Sequence, residues 1–133
     1  ILFVAAGNTG ANQTYVNYPS IIAVSATDSY DNRAGWSDYG DFIDVAAPGV
    51  SILTTVPGGG YGAWSGTSFA SPVAAGVAAL VLGVNPSLGP GDVEKILEET
   101  AFDPTNTGIS ANFGHGRVDA FAAVNMATTF VPT

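Results

Sequence analysis

The chain opens on an uninterrupted apolar run, Ile1–Ala6. A strand with no polar face fits a parallel strand covered on both sides, so the run predicts a buried strand, closed by a turn at Gly7-Asn8-Thr9-Gly10. Residues 10–18 are polar, with Asn12 and Asn17 among them, and predict a surface loop. Ile21–Ala26 is short, mainly apolar and rich in β-branched residues, and predicts a second strand. The Asp- and Ser-rich stretch Asp28–Tyr39 predicts another loop, in which the pairs Asp28/Asp31 and Asp38/Asp41 read as solvated acids. Phe42–Ala46 and Ser51–Val56 predict short strands around the turn at Pro48-Gly49, and Pro57-Gly58-Gly59-Gly60 predicts a turn before an extended segment to Ser65.

The helical signals lie in the second half. Thr67–Leu82 is apolar on every face, which predicts a helix buried through the middle of the molecule. Its alanines and Gly76 allow close packing, Pro72 falls in the first turn where a missing N–H costs little, and Asn85-Pro86 ends it. In Asp92–Thr100 the residues Val93, Ile96, Leu97 and Thr100 recur at three-and-four spacing, with Glu94, Glu98 and Glu99 on the other side. Arg117–Thr128 predicts a shorter terminal helix. No internal repeat or domain boundary interrupts this order, and 133 residues suit one domain.

Composition narrows the function classes. An apolar content of 47% argues for a substantial core, and 17 glycines with 8 prolines argue for many tight turns. The net charge of −8 leaves only Arg33, Lys95 and Arg117 as cations, which disfavours nucleic acid and anionic membrane surfaces as partners. With no cysteine, disulfides and thiolate metal sites are excluded. The apolar stretch Val73–Val84 falls short of the roughly 20 residues that cross a bilayer.

The run Gly66-Thr67-Ser68-Phe69-Ala70-Ser71-Pro72 carries the chemistry. It sets a serine between a glycine turn and the start of the apolar helix. Helix N-termini hold unpaired N–H groups and partial positive charge, so a serine there can attack a carbonyl whose developing oxyanion meets backbone donors. The plainer alternative is that Thr67 or Ser68 caps the helix. No Gly-x-Ser-x-Gly elbow is present, which argues against an α/β-hydrolase.

The same seven residues resemble the nucleophile motif of the subtilisin-like serine proteases, the subtilases of peptidase family S8. Further blocks resemble that family in order and spacing: Ile1–Asn8, Tyr18–Val24, Trp36–Gly40, Ile43–Gly49 and Gly114–Ala120. The resemblance implies an α/β fold. The chain would form the C-terminal portion of a subtilisin-like three-layer fold, with a mainly parallel sheet and a buried central helix starting at the nucleophile. It implies Ser68 as the nucleophile and Asn8 as the oxyanion-hole side chain, the alternative for Asn8 being a positive φ in its turn. It places Ala5, Ala6 and Gly7 on one wall of the specificity pocket, where small residues leave room for a large aromatic or aliphatic side chain. Trp64 and Phe69 fall on the leaving-group side, and Trp64 reads equally well as a packing aromatic.

Phe69 stands where methionine is common in the family, and so predicts resistance to peroxide. Val73 stands where the family usually has a histidine that is not the triad base. Asp44, with the carbonyls of Pro19 and Ile21, is the implied structural calcium site; otherwise Asp44 holds the Pro48-Gly49 turn.

The family's Asp-[Ser/Thr]-Gly and His-Gly-Thr segments, which supply the orienting aspartate and the base, do not occur in this sequence, and the sole histidine, His115, falls at a variable position. Residues 1–133 therefore read as the C-terminal part of one catalytic domain, a fragment or one chain of two. The expected partner is an N-terminal subtilase chain carrying the catalytic Asp and His, and the substrates are proteins or peptides outside the cell or in the periplasm. The competing readings are an inert fragment or half of a pseudoprotease with a binding role, and a serine carboxyl peptidase, against which Asn8 weighs.

Overall fold

A computed structural model describes residues 1–133. Three strands, β1 (Leu2–Ala5), β2 (Ile21–Thr27) and β3 (Val45–Pro48), form a parallel sheet in the order β1-β2-β3. Leu2 lies beside Ile21 and Val24 beside Val45. Strands β4 (Ile52–Thr55) and β5 (Tyr61–Trp64) form a separate antiparallel hairpin. Three helices complete the chain: α1 (Thr67–Val84), α2 (Pro90–Thr100) and α3 (Ala120–Thr129). Helices with a mainly parallel sheet make this an α/β fold.

One core joins the sheet to all three helices. Ile22, Val24 and Val45 meet Ala74 and Val81 of α1, Ile96 and Leu97 of α2, and Ala123 and Ala127 of α3. The alanines on α1 and α3 keep the layers close. Ala6, Ala23, Phe42 and Ile43 form a smaller second cluster under the loop that follows β1.

Element boundaries shift where local contacts compete with propensity. β3 starts at Val45 because Phe42 and Ile43 belong to a turn, closed by the Ile43 N–H on Gly40 O at 3.2 Å, before the ladder begins. β4 starts at Ile52 because Ser51 is left-handed (φ 54°). α3 starts at Ala120 because Arg117 is bridged to Ala46 and Phe102, and Asp119 then caps the helix by accepting from Ala122 N at 2.9 Å. α2 starts two residues earlier than expected, at Pro90, with the Asp92 carboxylate accepting from Gly89 N at 2.9 Å.

Two faces expected to be covered are bare within these 133 residues. Only one stripe of α1 is buried, through Thr67, Ala70, Ser71, Ala74, Val77, Ala78 and Val81. Its far side leaves Leu80 56% and Val84 47% exposed. On β1, Leu2 is 63% and Val4 47% exposed, so this strand has one covered face and one bare one. Within these 133 residues the sheet ends at β1 and nothing packs on that side of α1.

The acidic loops also differ from expectation. Asp38 is 2% exposed rather than solvated. Asp31 pairs with Arg117, Nε donating to Oδ1 at 2.5 Å, and ties the loop after β2 to the segment before α3.

Candidate active site

The site forms where the turn after β1 meets the first turn of α1. Gly66 precedes the helix in extended conformation, and no side chain caps the helix. Thr67 and Ser68 are therefore not its caps. Thr67, fully buried, reaches across to the other turn: its Oγ1 accepts from Gly7 N at 3.1 Å and donates to Asn8 Oδ1 at 2.9 Å. Its backbone N–H donates to the same Asn8 oxygen at 2.9 Å.

These contacts fix which way the Asn8 amide points. Two donors converge on one side-chain atom, so that atom is the carbonyl oxygen. The NH₂ end must face the other way, and it donates to no protein acceptor. The Ser68 N–H is likewise without a protein acceptor, and Ser68 is exposed. Two free donors thus flank a serine at a helix N-terminus, where the peptide dipoles favour developing negative charge. The turn does not need Asn8 for its backbone: the positive φ values fall on Gly7 (117°) and Gly10 (70°).

Behind Asn8 the loop is laced to residues 36–39. Asp38 N donates to Gly7 O at 2.9 Å, Gly10 N to Trp36 O at 2.8 Å, and Gln13 N to Tyr39 O at 2.8 Å. The Asp38 carboxylate accepts from Thr9 N at 2.7 Å, Thr9 Oγ1 at 2.6 Å, Ala11 N at 3.2 Å and Gln13 Nε2 at 3.2 Å. Burial pushes the Asp38 carboxyl up, but the bonds from Thr9, Ala11 and Gln13 outweigh it and hold the group below the usual carboxylate range. Gly7 is required on two counts: its positive φ, and a Cβ there would lie 2.3 Å from Asp38 Oδ2.

An apolar cavity of about 410 Å³ opens beside this turn. Ala5, Ala6 and Gly7 line one side, Tyr15, Val16 and Phe42 another. Tyr15 meets Phe42 edge to face, with centroids 5.0 Å apart. Trp64, on β5, is 55% exposed, and neither it nor Phe69 lines this cavity. Phe69 is half-buried beside Gly66, while Val73 packs against the main core.

His115 sits elsewhere. Its Nε2 is 3.7 Å from Glu98 Oε2 on α2, and its N–H donates to Asp44 O at 2.8 Å. Asp44 is buried, and each carboxylate oxygen has a donor: Asn17 Nδ2 on Oδ1 at 2.8 Å and Ala23 N on Oδ2 at 2.7 Å. It thus pins the loop before β2 rather than the Pro48-Gly49 turn. Burial raises its pKa, partly offset by those two bonds. No group of three or more His, Cys, Asp or Glu is clustered to hold a metal ion. A cation at Asp44 would have to share an oxygen with the Asn17 amide or the Ala23 N–H, or displace the amide.

Thr67 and Asp38 are the residues that motif reasoning passed over. Thr67 lay in view within the motif, but its partners are about 60 positions away. For Asp38 the signals were its place in the Trp36–Gly40 block and the polar loop Thr9–Gln13, whose donors need an acceptor.

The profile of the subtilase family matches residues 1–116. The chain is 45% identical to alkaline elastase YaB from Bacillus sp. (strain YaB), over 92% of this chain and 32% of that protein. It is 43% identical to a subtilisin from Bacillus pumilus, over 92% of this chain and 46% of that protein. A solved protease structure from Pseudoalteromonas arctica superposes with a TM-score of 0.83 at 34% identity, covering 96% of this chain and 42% of that one. The self-cleaved protease domain of PatA gives a TM-score of 0.80 at 33% identity, covering 95% and 49%. The chain thus spans 32% to 46% of the length of these two curated relatives.

Proposed function

This chain belongs to the subtilase family, and from that premise we propose that it is the nucleophile-bearing, C-terminal part of a serine endopeptidase domain. The observation that carries the reading is the pair of free donors, Asn8 Nδ2 and Ser68 N–H, beside the exposed Ser68.

In this reading Ser68 Oγ attacks the peptide carbonyl. The carbonyl oxygen becomes an oxyanion between the Asn8 amide and the Ser68 N–H, and a histidine outside this chain takes the serine proton. Collapse expels the amine, which receives that proton, and leaves an acyl-serine. Water then attacks the acyl carbon with the same histidine as base. Orientation of Asn8 by Thr67 means the donor is in place before charge develops, which is where electrostatic stabilisation is most effective. The apolar cavity beside Ala5 and Ala6 would take a large apolar side chain next to the scissile bond, with Trp64 and Phe69 on the leaving-group side.

The bare edge of β1 and the bare side of α1 support a companion segment that supplies the catalytic Asp and His. Proteins or peptides outside the cell or in the periplasm are the substrates that the family implies. A structural calcium at Asp44 rests on resemblance alone, and a calcium titration followed by melting temperature tests it.

The test of the main reading is fluorophosphonate labelling of the assembled protein, with the modified residue mapped by mass spectrometry. Label on Ser68 is the expected result. A folded, assembled sample that stays unlabelled would refute the reading in favour of a pseudoprotease or inert fragment.

A further inference from the structure

Asn8 is held through its side chain by Thr67, but a donor amide is only as well placed as the backbone that carries it. That backbone is clamped on both sides by a single residue. On one side Asp38 N donates to Gly7 O at 2.9 Å. On the other the Asp38 carboxylate accepts from Thr9 N at 2.7 Å and Thr9 Oγ1 at 2.6 Å. Two further bonds, from Ala11 N and Gln13 Nε2, extend the grip along the loop. Asn8 and Thr9 are themselves exposed, so little packing holds the loop. The carboxylate is 2% exposed and has no cationic partner; N–H and O–H donors of this one loop satisfy it.

We propose that Asp38 is a positioning residue for the oxyanion donor: it sets the backbone of Asn8 so that Nδ2 meets the developing oxyanion. The inference rests on the function proposed above. A buried carboxylate accepting several bonds is stiffer than a neutral acceptor, because charge-assisted bonds are shorter and stronger. Its effect should therefore fall on the transition state and not on substrate capture.

The experiment is a cycle of kcat and KM on the assembled protease, the chain together with the segment that supplies the base. Its members are Asp38→Ala, Asp38→Asn, Asn8→Ala and the double variant Asn8→Ala/Asp38→Ala. Loss of one oxyanion donor in Asn8→Ala costs about 10²–10³-fold in kcat. Misplacement of the same donor in Asp38→Ala is expected to cost about tenfold or more in kcat with KM within about twofold. Asp38→Asn keeps an acceptor toward Thr9 and Ala11 and should recover most of that loss. In the Asn8→Ala background the Asp38 substitution should cost nothing further, because the donor it positions is gone. If Asp38→Ala does not fold, Asp38→Ser, which keeps one short acceptor, takes its place in the cycle.

An equal loss of kcat with and without Asn8, or no loss at all, overturns the proposal while leaving the protease reading intact. An assembled protein that does not hydrolyse peptides, or an Asn8→Ala variant with unchanged kcat, overturns the underlying reading and this proposal with it.

Discussion

Replacing Thr67 by valine isolates the contribution of its hydroxyl. The substitution keeps the shape and the backbone N–H on Asn8 Oδ1, and removes two bonds: Gly7 N on Oγ1 and Oγ1 on Asn8 Oδ1. Gly7 N then has no acceptor beside a fully buried side chain. An unsatisfied donor costs about 1–3 kcal/mol when buried, Gly7 is half-buried and falls at the low end, and Asn8 also loses one of the two bonds that orient it, so the two losses together come to about 2 kcal/mol. For a domain somewhat larger than 100 residues, about 2 kcal/mol corresponds to a fall of about 6–10 °C in melting temperature. The activity effect is separate. With only Thr67 N left to hold it, the Asn8 amide samples other rotamers, and a loss of about 1.4 kcal/mol in transition-state stabilisation is tenfold in kcat. Thr67→Ser keeps both bonds and serves as the control. The assay is thermal unfolding and peptide hydrolysis on the three proteins, each assembled with the segment that supplies the base. A valine variant within about 1 °C and twofold in kcat of the parent would refute the argument, since the two bonds would then contribute nothing measurable.

Other outcomes follow from particular contacts. Gly7→Ala should destabilise by more than about 2 kcal/mol in urea unfolding, because φ is 117° and the new Cβ would lie 2.3 Å from Asp38 Oδ2. Phe69 has no thioether to oxidise, so hydrolytic activity should survive peroxide, and Phe69→Met should introduce peroxide sensitivity. The pH dependence of stability has a definite sign. Asp103 is held at about 2 by the Thr105 hydroxyl and the Gly108 and Thr105 N–H groups, Asp92 is lowered chiefly by the Thr133 hydroxyl, and Asp38 is lowered by bonds that outweigh its burial. These groups bind fewer protons folded than unfolded, so their stabilisation is full above the ordinary carboxylate range and is lost as pH falls through their folded values. Asp44 and Glu98, raised chiefly by burial, act in the opposite sense: they bind more protons folded than unfolded and so cost stability as pH rises past the ordinary carboxylate range. Urea midpoints measured from pH 6 to pH 2 should therefore fall steeply at the acid end, and Asp38→Asn should flatten that fall.

What the sequence made legible depended on whether a pattern was local. The apolar run of β2, the long α1 and the three-and-four spacing of α2 are local, and each lies where its periodicity put it. Ser68 at a helix start was equally readable, because the motif spans consecutive residues. The interactions that organise the turn around it were not, because they are long-range: Thr67 with Gly7 and Asn8, and Asp38 with Thr9–Gln13; the Asp31–Arg117 pair, which ties the loop after β2 to the segment before α3, was hidden for the same reason. Composition even pointed the wrong way for Asp38. An acid in a Ser- and Asp-rich loop suggests solvent, whereas the backbone N–H groups of another loop offered a buried place for it. The bare faces of α1 and β1 have a different origin. Periodicity reports which faces a sequence is prepared to bury, and does not say what covers them.

That gap between prepared and covered surface supports a final prediction. Leu2, Val4, Leu80 and Val84 are 63%, 47%, 56% and 47% exposed. Full burial of such a side chain is worth about 1.5–3 kcal/mol, so covering the exposed half of each would add about 1 kcal/mol per residue. About 4 kcal/mol in all is comparable with the lower end of the 5–15 kcal/mol that holds a typical domain together. An unpaired edge at β1 adds backbone donors and acceptors that another strand could engage. The chain alone should therefore be marginally stable and bind a hydrophobic dye. The companion segment should suppress the dye signal and raise the melting temperature in a concentration-dependent way, as binding to the folded state alone requires. A chain that melts cooperatively at high temperature, binds no dye and is unaffected by that segment would show that the bare faces are tolerated as ordinary surface. Substituting Leu80 and Val84 by polar residues separates the cases. If these faces are a docking surface, the isolated chain keeps its stability and loses its gain from the companion; if they are ordinary surface, neither quantity moves.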